Sequence, residues 1–188
     1  MAPGLVTPDD VIEHDFAGDP TVPGPRVFLE RFIHAEIYRA RADVMAVAHS
    51  HSAAVLPFTV VDRNVQPLSH MCGFLHGTGP AFDLADHSGD GTDLLIASAA
   101  QGRALADHLG PSSVVLMRGH GFTAVGPSVA EAVFRAVYTA FNCDLQMAAL
   151  RLGEPRYLSP AEAAACDATT RGQIGRAWSL WVKRYADL

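Results

Sequence analysis

Residues 46–55, AVAHSHSAAV, place two histidines one residue apart in an otherwise apolar stretch. The surrounding run VMAVAHSH is typical of a β-strand, in which side chains alternate between two faces. His49 and His51 therefore point to the same side, with their Cα atoms about 7 Å apart. A buried imidazole needs partners for its nitrogens and is also a common metal ligand. The spacing thus predicts either a metal site or two hydrogen-bonded core histidines.

A third histidine favours the metal site. His120 lies between Gly119 and Gly121 in SVVLMRGHG, where a short buried strand is expected to open into a turn. Glycines on both sides would let the backbone come close to whatever the ring binds. Three imidazoles with one coordination position left open are typical of catalytic metal sites, whereas structural zinc sites are closed by four protein ligands.

The rest of the chain alternates helical and β-rich patterns. FLERFIHAEIYRARADV has apolar residues at helical spacing, and capping boxes at Ser98 and Ser128 begin helices that end at Gly110 and Gly153. VLPFTVV indicates a further strand, GPAFDLADHSGDGTDL a solvated loop, and residues 154–188 a helical tail. Helices that alternate with strands in one domain predict a layered α/β fold.

Composition and charge exclude several classes of protein. The 188 residues are 49% hydrophobic and 18% charged, with a net charge of -6 and no basic cluster. These values predict one compact domain that binds neither nucleic acid nor a membrane surface. The three cysteines are far apart, and we find no secretory leader and no apolar run near the roughly 20 residues of a membrane span. The expected protein is soluble and cytoplasmic.

LERFIHAEIYRARADVMAVAHSHS followed by LMRGHGFTAVGPSVAEAVFRA resembles the class II aldolase/adducin family, in the order helix, HxH strand, third-histidine turn and long helix. The resemblance runs over residues 5–152 and implies one domain over residues 1–188, shortened at its N-terminus relative to the family. The implied fold is a three-layer α/β/α sandwich with a central, mainly antiparallel sheet. The implied cofactor is a divalent cation on His49, His51 and His120, either Zn²⁺ or Mn²⁺, with Co²⁺ or Fe²⁺ also compatible.

The resemblance also implies which residues act on the substrate. Glu30, nineteen residues before His49, takes the position of the family's acid/base, with a contact of its own to the metal as a further role that the resemblance allows; without the resemblance it would be a solvated carboxylate in the first turn of a helix. His70 stands where family aldolases place a tyrosine that reaches into the neighbouring subunit, so it is either a second proton donor or a packed or surface histidine. Arg118 is either a partner for a substrate carboxylate or a surface arginine. Glu36 matches no functional position and is expected to be structural.

Two differences from the family's sugar-phosphate aldolases restrict the range of expected substrates. Those enzymes carry a Ser-Ser pair just before the acid/base and a Gly-Asn loop near the N-terminus, whereas this chain has Phe28 and Leu29 and lacks the loop. A phosphate needs several donors or cations, so the substrate is expected to be unphosphorylated, with Phe28 as a candidate contact. APGLVTPDD, LERFIH and LSHMCGF resemble instead the branch that decarboxylates hydroxylated aromatic or pyridine dicarboxylates.

The expected function is that of a divalent-metal-dependent carbon–carbon lyase. The favoured activity is decarboxylation of an ortho-hydroxylated aromatic or heteroaromatic (di)carboxylate through a metal-stabilised enolate. The alternative is a class II aldolase that cleaves an unphosphorylated hydroxy-keto substrate, and a non-catalytic adducin-like interaction module is a third hypothesis. The resemblance further implies a homo-oligomer, often a tetramer, with sites at subunit borders. Trp178 and Trp181 in the tail would cap such a border or complete the core.

Overall fold

The structure is a computed structural model that describes residues 5–22, 24 and 27–185. Its helices and strands, in chain order, are α1 (Arg31–Ala40), β1 (Ala46–Ser50), α2 (Leu56–Thr59), α3 (Ala85–Ser88), α4 (Ala99–Leu109), β2 (Val114–Met117), β3 (Gly121–Gly126), α5 (Val129–Leu152), α6 (Pro160–Arg171) and α7 (Ile174–Tyr185). Two short 3-10 helices are Pro8–Asp10 and His70–Leu75. Within these described ranges, no helix is both long enough and apolar enough to cross a bilayer.

The three strands form one antiparallel sheet in the order β1-β3-β2. The central strand β3 pairs Thr123 with His49 on one side and with Val115 on the other. The outer edge of β2 is covered by Phe82, whose backbone N–H donates to the Leu116 carbonyl at 2.8 Å. This register brings the end of β1 beside the start of β3, and therefore brings both parts of the histidine motif to one end of the sheet.

Side chains of β2 alternate between two cores, and this alternation produces three layers. Val114 and Leu116 face a core that includes Phe134 of α5. Val115 and Met117 face the opposite core, which is closed by apolar residues of α1 and α4. The predicted α/β/α sandwich around an antiparallel sheet is confirmed for the described residues.

The predicted caps begin and end two helices. The hydroxyl of Ser98 accepts from the Gln101 N–H at the start of α4, and that of Ser128 accepts from the Glu131 N–H at the start of α5. Glycines follow the last residue of each helix, as expected. These side chains satisfy backbone donors that the first helical turn leaves without a partner.

The strand predicted in VLPFTVV is wrong, because this stretch contains the short helix α2. The N–H groups of Val55 and Leu56 both donate to the carbonyl of Ser52, at 3.0 and 3.1 Å, and this starts a helical turn. Pro57 then occupies the first turn, where its missing N–H costs nothing. Apolar β-branched residues alone do not distinguish a buried strand from a buried turn of helix.

Two helices occupy most of the tail, residues 154–188. α6 begins with a capping box between Ser159 and Glu162, and α7 packs against α5. The indole of Trp181 lies 6.3 Å from the Phe134 ring, centroid to centroid. Trp181 therefore completes the core on the α5 side of the sheet.

Candidate metal centre

Four side chains from separate segments converge at one end of the sheet. Glu30 occupies the N-cap position of α1, one residue before the first turn in which it was expected. His49 lies on β1, His51 directly follows that strand, and His120 ends the turn before β3. One ligand atom from each of the four residues lies within 4.8 Å of the other three. The structure thus brings together the three predicted ligands and the predicted acid/base.

The separations between these atoms match those of ligands around one ion. His51 Nε2 lies 3.0 Å from His49 Nε2 and 2.9 Å from His120 Nε2. Glu30 Oε2 lies 3.5 Å from His49 Nε2 and 3.3 Å from His120 Nε2. Two nitrogens that each lie about 2.1 Å from a zinc ion are about 3 to 3.4 Å apart. His51 is exposed while His120 is buried, so the cluster is open on the His51 side.

A hydrogen bond on the far side of the His120 ring leaves its Nε2 lone pair facing the centre, and the His49 ring has a polar partner on its far side as well. The Nδ1–H of His120 donates to the Leu94 carbonyl at 2.7 Å. A carbonyl can only accept, so a neutral His120 carries no proton on Nε2. His49 Nδ1 lies 3.1 Å from the hydroxyl oxygen of Thr123. Imidazole nitrogens gathered with a carboxylate in this way fit a divalent cation such as Zn²⁺, Mn²⁺, Co²⁺ or Fe²⁺.

Glu30 is held through one carboxylate oxygen, and the other faces the cluster. Oε1 accepts from the Ile96 N–H at 3.2 Å, and Oε2 faces the rings of His49 and His120. Burial raises the pKa of this carboxyl, but the adjacent rings of His120 and His49 outweigh burial and hold the pKa well below its usual range. The group is therefore ionised at neutral pH, and its negative charge favours a cation in the cluster.

Glu36 lies on the same helix but outside the cluster. Its side chain is buried, and its Oε2 lies 3.6 Å from Nε of Arg39 one turn along α1. The side chain also contacts α4, because a Cβ added at Gly102 would lie 3.1 Å from its Cγ. These contacts join two helices, in line with the structural role expected for Glu36.

The segment 92–96 positions two of the four side chains, so the expectation of a simple solvated loop is wrong for its last residues. Leu94 has a φ of 66°, and its N–H donates to the hydroxyl of Thr92 at 3.1 Å. In this conformation the Leu94 carbonyl reaches His120, and the N–H of the fully buried Ile96 reaches the carboxylate of the cluster. The sequence signal is a Thr-Asp pair, whose side chains form turns with the backbone, before the apolar run LLI.

The glycines around His120 serve the packing of the turn. A Cβ added at Gly121 would lie 2.3 Å from the Ser50 carbonyl oxygen and 3.1 Å from Cδ2 of His51. Gly119 has a φ of 63°, a conformation that favours glycine. Close approach of β3 to the end of β1 therefore requires Gly121, whereas the sequence suggested an approach of the backbone to a ligand.

We expect Gly121→Ala to lower both stability and metal affinity, because the added methyl group pushes against the Ser50 backbone and the His51 ring. Overpacking of this kind typically costs about 1–3 kcal/mol. Thermal unfolding with and without added Zn²⁺ measures both effects. Gly175→Ala is the control, since nothing lies within 4 Å of its added Cβ. An unfolding temperature and a zinc shift equal to wild type in Gly121→Ala would contradict this account of the turn.

The other predicted site residues lie outside the cluster. Phe28 is 53% exposed and meets the edge of His34 at a centroid distance of 5.7 Å. The guanidinium of Arg118 is paired with the carboxylate of Asp83, so a substrate carboxylate there would share or displace that partner. His70 is the exposed first residue of its 3-10 helix, and its backbone carbonyl accepts from the hydroxyl of Thr170.

A cavity of about 680 Å³ lies between α1 and the segment that precedes it. Phe28, His34 and Met45 are among the residues that line it, whereas the four converging residues do not, as far as the described chain shows. Burial, with a smaller effect of nearby His49, lowers the pKa of His34 to about 4. The His34 ring is therefore neutral at physiological pH. The surface of the cavity is mainly apolar and includes Phe28, which lies two residues before Glu30 in the sequence.

The chain is similar to two proteins named as decarboxylases. Decarboxylase tropJ of Talaromyces stipitatus is 38% identical over 97% of this chain and 78% of its own length. Decarboxylase NovR of Streptomyces niveus is 32% identical over 94% of this chain, which spans 63% of NovR, less than two thirds of that relative. Both names are those of lyases, and they confirm the expectation of a lyase.

The fold and the family model give the same assignment. An aldolase II superfamily protein from Pseudomonas syringae aligns with a TM-score of 0.73 at 20% identity, over 96% of this chain and 73% of its own. Residues 1–147 match the model of the Class II Aldolase and Adducin N-terminal domain. With the helix, HxH strand, third-histidine turn and long helix in the expected order, these matches show that the chain belongs to the class II aldolase/adducin family.

Proposed function

We propose that the protein is a divalent-metal-dependent decarboxylase of an ortho-hydroxylated aromatic or heteroaromatic (di)carboxylate. The observation that carries this proposal is the convergence of Glu30, His49, His51 and His120 within 4.8 Å. Two relatives named decarboxylases support the choice among lyases. Phe28, which offers no donor to a phosphate, supports an unphosphorylated substrate.

The three imidazoles of His49, His51 and His120 would hold the ion, with Glu30 beside it. Zn²⁺ or Mn²⁺ is the favoured ion, and Co²⁺ or Fe²⁺ suits the same donors. When bound, the ion supplies Lewis acidity and stabilises negative charge that develops on a substrate oxygen. Substrate would enter on the side where His51 is exposed.

Glu30 would move the proton in this reaction. With Oε1 held by the Ile96 N–H, the ionised Oε2 faces the reacting side. It would accept the proton of the ortho-hydroxyl group and deliver it to the ring carbon that bears the carboxylate. The bond between that carbon and the carboxylate then breaks, its electron pair restores the ring as a phenolate, and CO₂ leaves. A positioned acid/base contributes a factor of about 10²–10⁴ to such a reaction.

Phe28 and Arg118 would contact the parts of the substrate that do not react. Phe28 lines the cavity of about 680 Å³ and lies two residues before Glu30 in the sequence, so its ring would pack against an apolar part of the substrate. Arg118 would bind a second carboxylate and share its guanidinium with Asp83. Both assignments predict that substrates with an apolar substituent or a second carboxylate are preferred.

We further infer a homo-oligomer, with a tetramer expected from the family resemblance, and sites at subunit borders. His70 is exposed and lies outside the cluster of its own chain. This position would allow it to donate a proton in the site of a neighbouring subunit. Val137 and Phe141 on α5 are 44% and 47% exposed and offer apolar surface for such a contact.

We also infer a reducing compartment, the cytoplasm. Cys72 and Cys143 are buried free thiols, and Cys166 is a partly exposed one. Burial raises the pKa of the Cys72 and Cys143 thiols to about 12, which keeps them protonated and unreactive. Unpaired thiols of this kind are ordinary in cytoplasmic proteins.

A product assay tests the proposed function. Protein loaded with Zn²⁺ or Mn²⁺ is incubated with a panel of ortho-hydroxy aromatic carboxylates and, separately, hydroxy-keto acids, with His49→Ala as the inactive control. Release of CO₂ in equal amount to a decarboxylated ring product is the expected result. Aldehyde release without CO₂ would replace the proposal by the aldolase alternative. No product from either panel, together with no bound ion, would favour the adducin-like interaction module.

A further inference from the structure

We propose that Thr123 is a positioning residue that fixes the ring of His49 with its Nε2 lone pair toward the metal. This inference rests on the proposed metal site. Thr123 is fully buried at the centre of β3, directly across from His49 in the antiparallel pair. Its hydroxyl oxygen lies 3.1 Å from His49 Nδ1.

The second contact of the hydroxyl group is compatible with a hydrogen bond that His49 donates. Oγ1 of Thr123 lies 3.9 Å from Sδ of Met117, a weak acceptor without a proton to give. A ring that binds a metal through Nε2 keeps its proton on Nδ1, so with the ion bound His49 donates from Nδ1–H to the Thr123 oxygen. The hydroxyl proton of Thr123 is then free to point to the sulfur, and the oxygen lone pairs are left to accept.

His120 reaches the same tautomer through a different acceptor. Its Nδ1–H donates to the Leu94 carbonyl at 2.7 Å. Two acceptors on separate elements, a backbone carbonyl and a threonine hydroxyl, thus leave both Nε2 atoms free of protons. The Leu94 carbonyl belongs to the backbone and is present whatever the side chain. The hydroxyl group of Thr123 belongs to a side chain, so a substitution can remove it.

Packing alone does not explain a threonine at this position. The side chain of Thr123 lies on the same face of β3 as Val125, which belongs to the core closed by α1 and α4. A valine would fill this space with nearly the same volume and suits a strand equally well. What valine lacks is the oxygen that accepts from His49. Removing an outer partner of a metal-bound histidine typically costs about 10- to 100-fold in metal affinity.

The test compares Zn²⁺ and Co²⁺ affinity, measured by titration calorimetry, in wild type, Thr123→Val and Thr123→Ser. We expect a loss of about 10- to 100-fold in Thr123→Val and an affinity near wild type in Thr123→Ser, which keeps the hydroxyl. The visible absorption of bound Co²⁺ is expected to change in Thr123→Val and not in Thr123→Ser. Thr139→Val is the matched control, because Thr139 is also fully buried but its hydroxyl donates to a carbonyl within α5.

The outcomes separate this inference from the metal site on which it rests. If wild type binds neither ion, the metal site itself is wrong. If wild type binds one ion and Thr123→Val binds it equally tightly with an unchanged Co²⁺ spectrum, Thr123 is not a positioning residue. Equal loss in Thr123→Val and Thr139→Val would assign the effect to general destabilisation and would also overturn the inference. Thermal unfolding without metal shows whether each variant remains folded.

Discussion

Replacement of His49 by alanine is expected to abolish both metal binding and turnover. Nε2 of His49 lies 3.0 Å from Nε2 of His51, a separation expected between two ligands of one ion. It also lies 3.5 Å from Oε2 of Glu30. Without this ring the ion keeps two imidazoles, and a water would have to take the vacated position. The loss of affinity should exceed the roughly 10- to 100-fold effect of removing an outer partner.

Metal content and thermal unfolding measure this effect. An ion that binds only the folded protein stabilises it by about 2.7 kcal/mol at 100 times its dissociation constant. Wild type should therefore unfold at a higher temperature with Zn²⁺ or Mn²⁺, whereas His49→Ala should show no shift. His108→Ala is a suitable control, because the ring of His108 is held by the Pro80 carbonyl outside the cluster. A full equivalent of ion in His49→Ala would show that this ring is not a ligand.

Glu30→Gln is expected to keep the ion and to lose turnover by about 10²- to 10⁴-fold. Glutamine has the same shape, and its side-chain oxygen can still accept from the Ile96 N–H that now holds Oε1. It carries no negative charge and cannot accept and return a proton at neutral pH. The chemical step should therefore fail while the three imidazoles stay in place.

The rate at saturating metal and substrate, with the metal content of the same sample, separates these effects. Glu36→Gln is the matched control, since Glu36 lies on the same helix and is also buried, but pairs with Arg39. That variant should retain the turnover of wild type. If Glu30→Gln were as active as wild type, the assignment of Glu30 as the acid/base would be wrong.

The convergence of the three histidines was predictable because its signals lie in side chains. Alternation along a strand places His49 and His51 on one side, and a glycine-flanked histidine after a second apolar run marks the turn that meets them. The layers follow from the same periodicity, since β2 divides its residues between two cores. Capping residues such as Ser98 and Ser128 mark helix starts locally, before any tertiary contact is known.

The groups that hold the ligands were not predictable, because they act through the backbone or through strand register. The Thr-Asp pair before LLI indicates a turn but not its partners, and only the fold brings the carbonyl of Leu94 to His120 and the N–H of Ile96 to Glu30. Thr123 becomes a partner of His49 once β3 is paired with β1 in the observed register.

The helix α2 escaped prediction for a related reason. Its first turn depends on the carbonyl of Ser52, which accepts two backbone N–H groups, rather than on the apolar residues that suggested a strand. Propensity is a weak signal over four residues, and local hydrogen bonds decide the conformation there.

X-ray absorption at the metal edge of the zinc-loaded protein gives the most direct measurement. If the rings of His49, His51 and His120 share one cation, the spectrum should fit one ion per chain with three imidazole nitrogens and oxygen ligands at about 2.0–2.2 Å. A first shell that contains sulfur, or no more than a single imidazole, would contradict the site and with it the proposed chemistry.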